Sequence, residues 1–263
     1  MGARRDDPPR AELKLACVDT STFTESIALV EGRTLMGERL QFRAKGHASG
    51  LHADLRSLLS EAGWALEELA GFVCGLGPGS FTGMRVGLAA FKGLAFALGK
   101  PLCGVPTPEA LLADAGHGAL ALIDARRGEV YAEGPLLREP VCLTPEALIE
   151  RLSSSGPPPT QLIGEGALRY AWRFKEAWPE VIIAPPSAHI PRASLLAEPA
   201  LKLLASHGVS AFSDPTSIAT LEPIYVRPSD AEINYPEGFP SEARLFGSPK
   251  RASSSSVKGG GDA

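Results

Sequence analysis

The most informative part of the sequence reads Gly75-Leu-Gly-Pro-Gly-Ser-Phe-Thr-Gly-Met-Arg-Val-Gly87. It follows an apolar run, Ala70 to Leu76, and it opens a helical pattern that continues to about Leu98. A strand that turns at glycines and continues as a helix often receives anions or partner proteins there, because the first N–H groups of the helix are free. Ser80 and Thr82 are candidate caps for those groups. We therefore predict a strand, a tight turn and a long helix.

Small residues recur every four positions along the predicted helix. Gly83 and Gly87 form one such pair, and Ala89, Gly93 and Ala97 continue the pattern. Residues four apart lie on the same face of a helix. Because glycine costs about 1 kcal/mol relative to alanine inside a helix, several glycines need a compensating reason. Close packing against a sheet, another helix or a partner chain would supply it.

The glycine-rich stretch lacks the standard phosphate-binding motifs. A P-loop needs a lysine that is missing here, and Thr82 stands where a Rossmann fingerprint needs its third glycine. A helix N-terminus can hold an anion without either motif, so nucleotide binding stays open. The Asp-Thr-Ser run after the first strand is interpreted either as an ordinary turn or as a loop facing a phosphate. The candidate nucleotide-binding residues are Asp19, Thr20, Ser21, Gly77, Gly79 and Ser80.

Recognisable catalytic and metal-binding patterns are missing from the sequence. The five histidines form neither HExxH nor HxxxH, so we predict no metal site and no metal cofactor. No serine lies in a GxSxG elbow, and Ser80 has no assignable base. Asp19, Asp124 and Glu129 are candidate carboxylates, but spacing alone cannot pair them. We therefore predict no catalytic residue.

Composition indicates a globular protein. Hydrophobic residues make up 44% of the 263 residues, and the net charge of −4 argues against a broad basic surface for nucleic acid, although a local basic patch is not excluded. The longest apolar candidate, Val86 to Leu98, is shorter than the ~18 residues of a membrane helix and contains Lys92. The N-terminus has no apolar segment typical of a signal peptide. The four cysteines show no paired spacing, so we predict reduced core thiols in a cytoplasmic protein without a membrane partner.

The order of predicted elements indicates an α/β protein of two lobes. Strands at 13–18, 26–31 and 34–40 form an antiparallel meander, and a new set of strands begins near residue 118. We place the first lobe at residues 12–106, with the glycine-rich loop and interface helices, and the second at 107–228. Residues 1–11 and 229–263 are predicted to be largely disordered.

Three further helices are predicted from periodicity and helix-start chemistry. One spans Ser49 to Ala62, a second spans 167–178, and a late one near 194–206 can pack back on the first lobe. Pro199 should kink or split that late helix. The same five residues, Thr-Pro-Glu-Ala-Leu, begin at Thr107 and Thr144, and in both copies the threonine is predicted to cap a helix.

Five motifs occur in the order typical of one protein family. They are Asp19-Thr-Ser21, Gly77-Pro-Gly-Ser-Phe-Thr-Gly-Met-Arg-Val-Gly87, Gly104-Val-Pro-Thr107, Asp124-Ala-Arg126 with Glu129-Val-Tyr131, and Pro223-Ile-Tyr-Val-Arg227. Over about residues 13–228 the chain resembles the TsaB (YeaZ) type, the bacterial dimerization subunit of the tRNA threonylcarbamoyladenosine complex. The Gly-Pro-Gly-Ser-Phe-Thr-Gly run is the most specific of these matches.

The resemblance implies an actin-like ATPase fold with two lobes built on mixed five-stranded sheets. It implies a non-catalytic scaffold that works with a TsaD-type catalytic subunit and a TsaE-type ATPase on tRNAs that read codons starting with A. Catalysis would lie on TsaD, which uses an HxxxH motif, and tRNA would be reached through the complex. A homodimer is implied when the chain is alone, with ATP or ADP bound, if at all, at the loop or through the complex.

In that family the first two helices form the partner interface. Carried over to this sequence, the implied interface residues are Leu51, Leu55, Leu58, Gly83, Gly87, Ala90 and Gly93. The sequence departs from the family at His47-Ala-Ser-Gly-Leu51 and at the following His52-Ala53, which alters the expected start of the first helix. The competing hypothesis is an ATP-using phosphotransferase of the same fold. A metalloprotease is disfavoured because the metal ligands are missing.

Overall fold

The computed structural model describes residues 13–42, 50–208 and 215–226, all within one compact unit, Met1–Arg227. The predicted disordered ends, the predicted helix start at Ser49 and the last residue of the motif ending at Arg227 lie outside these ranges.

The first sheet has five strands in the order β3-β2-β1-β4-β5. Their bounds are β1 Lys14–Asp19, β2 Thr24–Glu31, β3 Thr34–Phe42, β4 Gly71–Gly75 and β5 Leu102–Val105. Strands β1 to β3 pair antiparallel, as the predicted meander requires, whereas β1, β4 and β5 run parallel. Parallel neighbours need a crossover, and helices supply it here.

Two helices cover one face of this sheet. They are α1, Leu51–Ala62, and α2, Phe81–Leu98, and both end at a glycine in the left-handed conformation. The opposite face is covered by the 3₁₀ helix Ala193–Leu196 and by α7, Ala197–His207, which pack on apolar residues of β1, β2, β4 and β5. A segment from late in the chain thus completes the core of the first sheet.

The second sheet has the order β10-β9-β6-β7-β8. Its strands are β6 Ala119–Arg126, β7 Glu129–Glu133, β8 Val141–Leu143, β9 Gln161–Ile163 and β10 Ile182–Ile183. The accompanying helices are α3 Thr107–Leu112, α4 Pro145–Ser155, α5 Glu165–Arg169 and α6 Ala171–Ala177. Two mixed five-stranded sheets flanked by helices confirm the predicted α/β fold of the actin-like ATPase class.

Two of the following three local predictions differ from the structure. The predicted helix over 167–178 is divided into α5 and α6, because Tyr170 leaves helical geometry between them. The predicted late helix is split, as expected from Pro199, into the 3₁₀ helix Ala193–Leu196 and α7, and the proline lies in the first turn of α7, where its missing N–H has no helical partner to lose. Thr144 caps α4 as predicted, but α3 begins at Thr107 itself and has no side-chain cap.

The last described segment lies against α2 and the first sheet. It comprises α8, Pro215–Thr220, and residues 221–226. The N–H of Ile224 donates to the carbonyl of Leu76 at 2.8 Å, and Lys92 Nζ donates to the carbonyl of Ala219 at 2.8 Å. These bonds fix the segment along one side of α2.

Candidate functional site

The glycine-rich turn packs directly on the Asp-Thr-Ser turn that follows β1. The N–H of Ser80 donates to the carbonyl of Ser21 at 2.6 Å, and a β-carbon built on Gly79 would overlap that same carbonyl. Gly77 adopts a φ of +86°, which favours glycine. Ser80 caps α2 as predicted, its hydroxyl accepting from the N–H of Gly83 at 3.2 Å. The sequence indicated the Asp-Thr-Ser turn and the glycine-rich turn only as separate features. In the structure they form one packed unit.

Asp19 is the centre of this unit. Its carboxylate accepts from the Thr107 hydroxyl at 2.6 Å, and from the hydroxyl and N–H of Ser21 at 2.7 and 2.9 Å. Burial raises the pKa of Asp19, and the hydrogen bonds from Thr107 and Ser21 oppose that rise. Thr107 also accepts from the N–H of Gly77 at 3.1 Å. Thr107 thus joins β1, the glycine-rich turn and α3, a role that its helix-start motif did not reveal.

Three of the candidate nucleotide-binding residues have side chains that take part in this packing. Asp19, Thr20 and Ser21 are each 1% exposed or less. The Thr20 hydroxyl donates to the carbonyl of Gly83 at 2.8 Å, and a β-carbon on Gly87 would overlap that hydroxyl oxygen. In this arrangement the polar side-chain groups of the three residues are bonded within the chain, and nucleotide binding at this turn stays a prediction.

Most of the residues predicted to form the partner interface lie in the core of this chain. Leu51, Leu55 and Leu58 are 3% exposed or less and pack in the core between α1, α2 and the first sheet. Gly83 and Gly87 are buried as well, against the end of β1. An apolar or small-residue face looks the same in sequence whether it meets the chain's own sheet or another protein, and here five residues meet the sheet.

The side of α2 that faces away from the sheet is the available surface. Ala89, Gly93, Phe96 and Ala97 are exposed there, Phe96 by 70%, and Ala90 is half-buried beside them. We call these five residues the α2 outer face. A β-carbon on Gly93 would have no atom within 4 Å. By length and composition alone α2 could cross a membrane, a test that core helices of soluble proteins also pass.

A second polar cluster lies where β6 ends in the second lobe. The Asp124 carboxylate accepts from Arg169 Nη1 at 2.7 Å and from the N–H of Arg126 at 3.2 Å. Burial, together with the Asp124 charge, raises the pKa of Glu165 to about 7, and Arg126 and Arg169 moderate the rise. Two acidic groups thus share a site in which arginines neutralise one of them.

Three of the four cysteines are buried. Cys17, Cys74 and Cys103 are buried, and burial raises the pKa of all three thiols, that of Cys103 to about 12. Cys142 is half-buried, so the prediction of core thiols fits three of four. Among residues 13–42, 50–208 and 215–226, no three His, Cys, Asp or Glu side chains converge to hold a metal ion.

Comparison with known proteins adds family information to this geometry. Residues 41–137 match the family model described as TsaD, tRNA N6-adenosine threonylcarbamoyltransferase. The TsaB protein of Bacillus subtilis is 35% identical over 122 residues, which are 45% of this chain and 53% of that protein. The TsaB protein of Escherichia coli is 33% identical over 124 residues, with the same two coverages, 45% and 53%. The chain thus spans about half the length of these two relatives.

Two further matches extend over most of the chain. The TsaB protein of Haemophilus influenzae is 29% identical over 232 residues, covering 82% of this chain and 94% of that protein. The structure of YeaZ from Pseudomonas aeruginosa superposes with a TM-score of 0.62 at 28% identity, over 81% of this chain and all of that one.

Proposed function

We propose that the chain is a protein of the TsaB/YeaZ type and a non-catalytic subunit required to form threonylcarbamoyladenosine on tRNA. Its substrates are the tRNAs that read codons starting with A. Its partners are a TsaD-type transferase and a TsaE-type ATPase, and the complex works in the cytoplasm. One observation carries the proposal, namely an exposed apolar helix face on a chain whose Asp19, Thr20 and Ser21 side chains are used in internal packing.

The α2 outer face has the properties of a surface for close helix packing. Gly93 and the alanines around it leave the helix backbone accessible, so a partner helix can approach it closely. Phe96 supplies a large exposed ring of the kind that anchors protein interfaces. An exposed apolar patch of this kind typically marks an interaction site. We assign it to the TsaD-type subunit, and to a second copy of this chain when that subunit is absent.

The assignment of catalysis to the partner rests on residue types. The sequence contains no HxxxH motif. The part of the chain that the structure describes brings no three metal-ligating side chains together. The match to a transferase family model is expected for a paralogue that shares the fold and lacks the metal ligands.

Reconstitution of tRNA modification tests the proposal. Unmodified tRNA, ATP and a threonylcarbamoyl donor are incubated with TsaD-type and TsaE-type proteins, with and without this chain, and modified nucleoside is measured after digestion. We expect product only when the chain is present together with TsaD, and none when it replaces TsaD. Equal product without the chain, or product from the chain in place of TsaD, would contradict the proposal.

The competing phosphotransferase hypothesis makes a different prediction. It requires ATP or ADP to bind the isolated chain near Asp19, where the described polar side chains are internally bonded. Titration calorimetry of the isolated chain with each nucleotide decides between the two. We expect no heat of binding, and a saturable signal would favour the enzyme.

A further inference from the structure

The hairpin between β6 and β7 contacts the first lobe through one arginine. The guanidinium of Arg126, the last residue of β6, lies 4.2 Å from the ring centre of Phe23, which lies between β1 and β2. Phe23 is half-buried, so the arginine covers a ring that is already partly enclosed. Because Phe23 follows Ser21 by two residues, this contact between the lobes lies beside the packed turns of the first lobe.

Arg126 makes this contact from an unusual backbone conformation. Its φ of 66° lies in the left-handed region, which residues with a side chain rarely occupy. The pairing of β6 with β7 is irregular between Asp124 and Arg126, and the N–H of Arg126 donates to the Asp124 carboxylate at 3.2 Å. Since glycine would adopt this conformation without strain, the side chain of Arg126 is the feature that needs a function.

The charges around Arg126 depend on the protonation of Glu165. Arg169 Nη1 donates to Asp124 at 2.7 Å, whereas Arg126 Nη1 is 3.9 Å from the same carboxylate oxygen. Asp124 is thus neutralised mainly by Arg169, and Arg126 is the additional cation that lies over the Phe23 ring. When Glu165 loses its proton, the cluster gains a second carboxylate, and two carboxylates then face two guanidinium groups.

An ionised Glu165 would compete with the ring for Arg126. Burial and the Asp124 charge raise the pKa of Glu165 to about 7, and the charges of Arg126 and Arg169 oppose the rise. A charge-assisted hydrogen bond to a partly buried carboxylate is stronger than a cation–π contact of an arginine that is 50% exposed. The ionised carboxylate should therefore draw the Arg126 guanidinium away from the ring.

The other charged groups around Glu165 already have partners. The described elements that pack closely on α5 are β6, β9 and the 3₁₀ helix Pro186–His189. Strand β9 carries no charged residue, and His189 bonds backbone groups through both ring nitrogens. Arg169 is held by the carboxylate at the end of β6. Arg126 is therefore the cation that a second carboxylate can recruit.

We propose that Arg126 is a latch between the two lobes, closed on Phe23 while Glu165 is neutral and released when Glu165 is ionised. Below about pH 7 the proton stays on Glu165 and the latch holds, and above that pH it opens. The buried bond from Thr107 to Asp19 does not involve Arg126 and persists in both states. We therefore expect the lobes to loosen beside Phe23 and not to separate. This pH-sensitive device goes beyond the proposed role of the chain as a subunit.

The first test follows the Arg126 side chain by nuclear magnetic resonance of the full chain with ¹³C-labelled arginine, from pH 5.5 to 8.5. Protons above an aromatic ring resonate upfield, so the closed latch should give upfield Arg126 signals that Arg126→Lys removes. In the wild type these signals should move to ordinary positions with a midpoint of about pH 7. In Glu165→Gln they should stay upfield at every pH, and in Phe23→Leu they should be ordinary at every pH.

The second test measures the lobes themselves. Spin labels are attached at Ser60→Cys on α1 and Glu150→Cys on α4, both exposed, with Cys142→Ser because the other three cysteines are buried. The distance distribution should be broader at pH 8 than at pH 6 in the wild type. It should be narrow at both pH values in Glu165→Gln and broad at both in Phe23→Leu. Glu176→Gln, at an exposed position of α6, should behave as the wild type in both tests.

Two outcomes would overturn the inference. Upfield signals that ignore pH, or that respond equally in Glu165→Gln, would show that Glu165 does not control the contact. Equal distance distributions in the wild type and Phe23→Leu at pH 6 would show that the contact does not restrain the lobes. Thermal melting verifies the fold of each variant, and Arg126→Gly breaks the same contact if Phe23→Leu does not fold. Because neither test uses a partner or tRNA, their results are independent of the proposed function.

Discussion

Gly87 lies where α2 passes the end of β1, and adding a single methyl group there should change the free energy of unfolding. A β-carbon would overlap the Thr20 hydroxyl oxygen, which donates to the carbonyl of Gly83 at 2.8 Å. We expect Gly87→Ala to lower the free energy of unfolding by about 1–3 kcal/mol. Gly93→Ala, in open space on the same helix, should raise it by up to ~1 kcal/mol. Urea unfolding of both variants checks the difference, and equal effects would contradict the packing.

Glu165 gives the second lobe a defined pH dependence. Its pKa is raised from 4.5 to about 7, chiefly by burial and then by the Asp124 charge. The folded state therefore holds this proton more tightly than the unfolded chain, so its contribution to stability falls as pH rises from about 4.5 to 7. Glu165→Gln should remove this fall and stabilise the protein at pH 8 by on the order of 2 kcal/mol, allowing for solvent screening.

The measurement for Glu165→Gln is chemical unfolding at pH 5, 6, 7 and 8. Glu176→Gln is the matched control, because Glu176 is exposed on α6. A wild-type pH profile that persists in Glu165→Gln would show that another group carries the dependence.

At the scale of the element, the small residues of α2 have two roles. Gly83 and Gly87 admit the end of β1, and Gly93 leaves the outer face open. We therefore expect Gly93→Leu to reduce association with the TsaD-type subunit by at least tenfold, because a bulky side chain would separate the two helices. Isothermal titration measures the affinity, and thermal melting should show an intact fold. Undiminished affinity in Gly93→Leu would place the partner elsewhere.

The α2 helix also shows what the sequence could and could not predict. Its bounds, its Ser80 cap and its need for close packing follow from local chemistry, and the structure has all three. Which face would meet the chain's own sheet depended on β1 lying beside it, and β1 is about 60 residues earlier in the chain. The small-residue pattern could not distinguish an internal contact from a partner.

The identical sequences at Thr107 and Thr144 also show that local sequence does not determine which contact a residue makes. Both begin Thr-Pro-Glu-Ala-Leu, yet only the Thr144 hydroxyl caps its helix, accepting from the N–H of Ala147 at 3.3 Å. Thr107 is buried, and its hydroxyl donates to Asp19 instead. The difference comes from a carboxylate 88 positions away, which no local pattern contains. The candidate site therefore could not be predicted without the fold, whereas the positions at which the two helices begin could be.

At the scale of the whole molecule, α7 packs a late segment of the chain on the first sheet. It follows the second sheet in sequence but packs on the first, and Arg192, just before it, donates to Glu38 of β3 with Nε at 2.7 Å. Ser194 also donates to that carboxylate, through its hydroxyl at 2.8 Å. The side chain of Glu38 is 6% exposed, so these donors satisfy a buried charge. The two sheets are therefore expected to unfold together.

A charge placed on either side of α7 tests that cooperativity. Ala200 is fully buried against the first sheet, and Ala205 is exposed on the same helix. Ala200→Asp should lower the free energy of unfolding by at least ~3 kcal/mol, because it buries an unpaired carboxylate, whereas Ala205→Asp should change it by less than ~0.5 kcal/mol. Single-tryptophan variants retaining Trp64 or Trp178 report on the two lobes during urea unfolding. If Ala200→Asp shifts only the Trp64 transition, the lobes unfold independently and α7 belongs energetically to the first lobe alone. Coincident shifts of the Trp64 and Trp178 transitions would mean that the two lobes unfold together. The stability of α2 and its outer face would then depend on α7, which follows the second sheet in sequence.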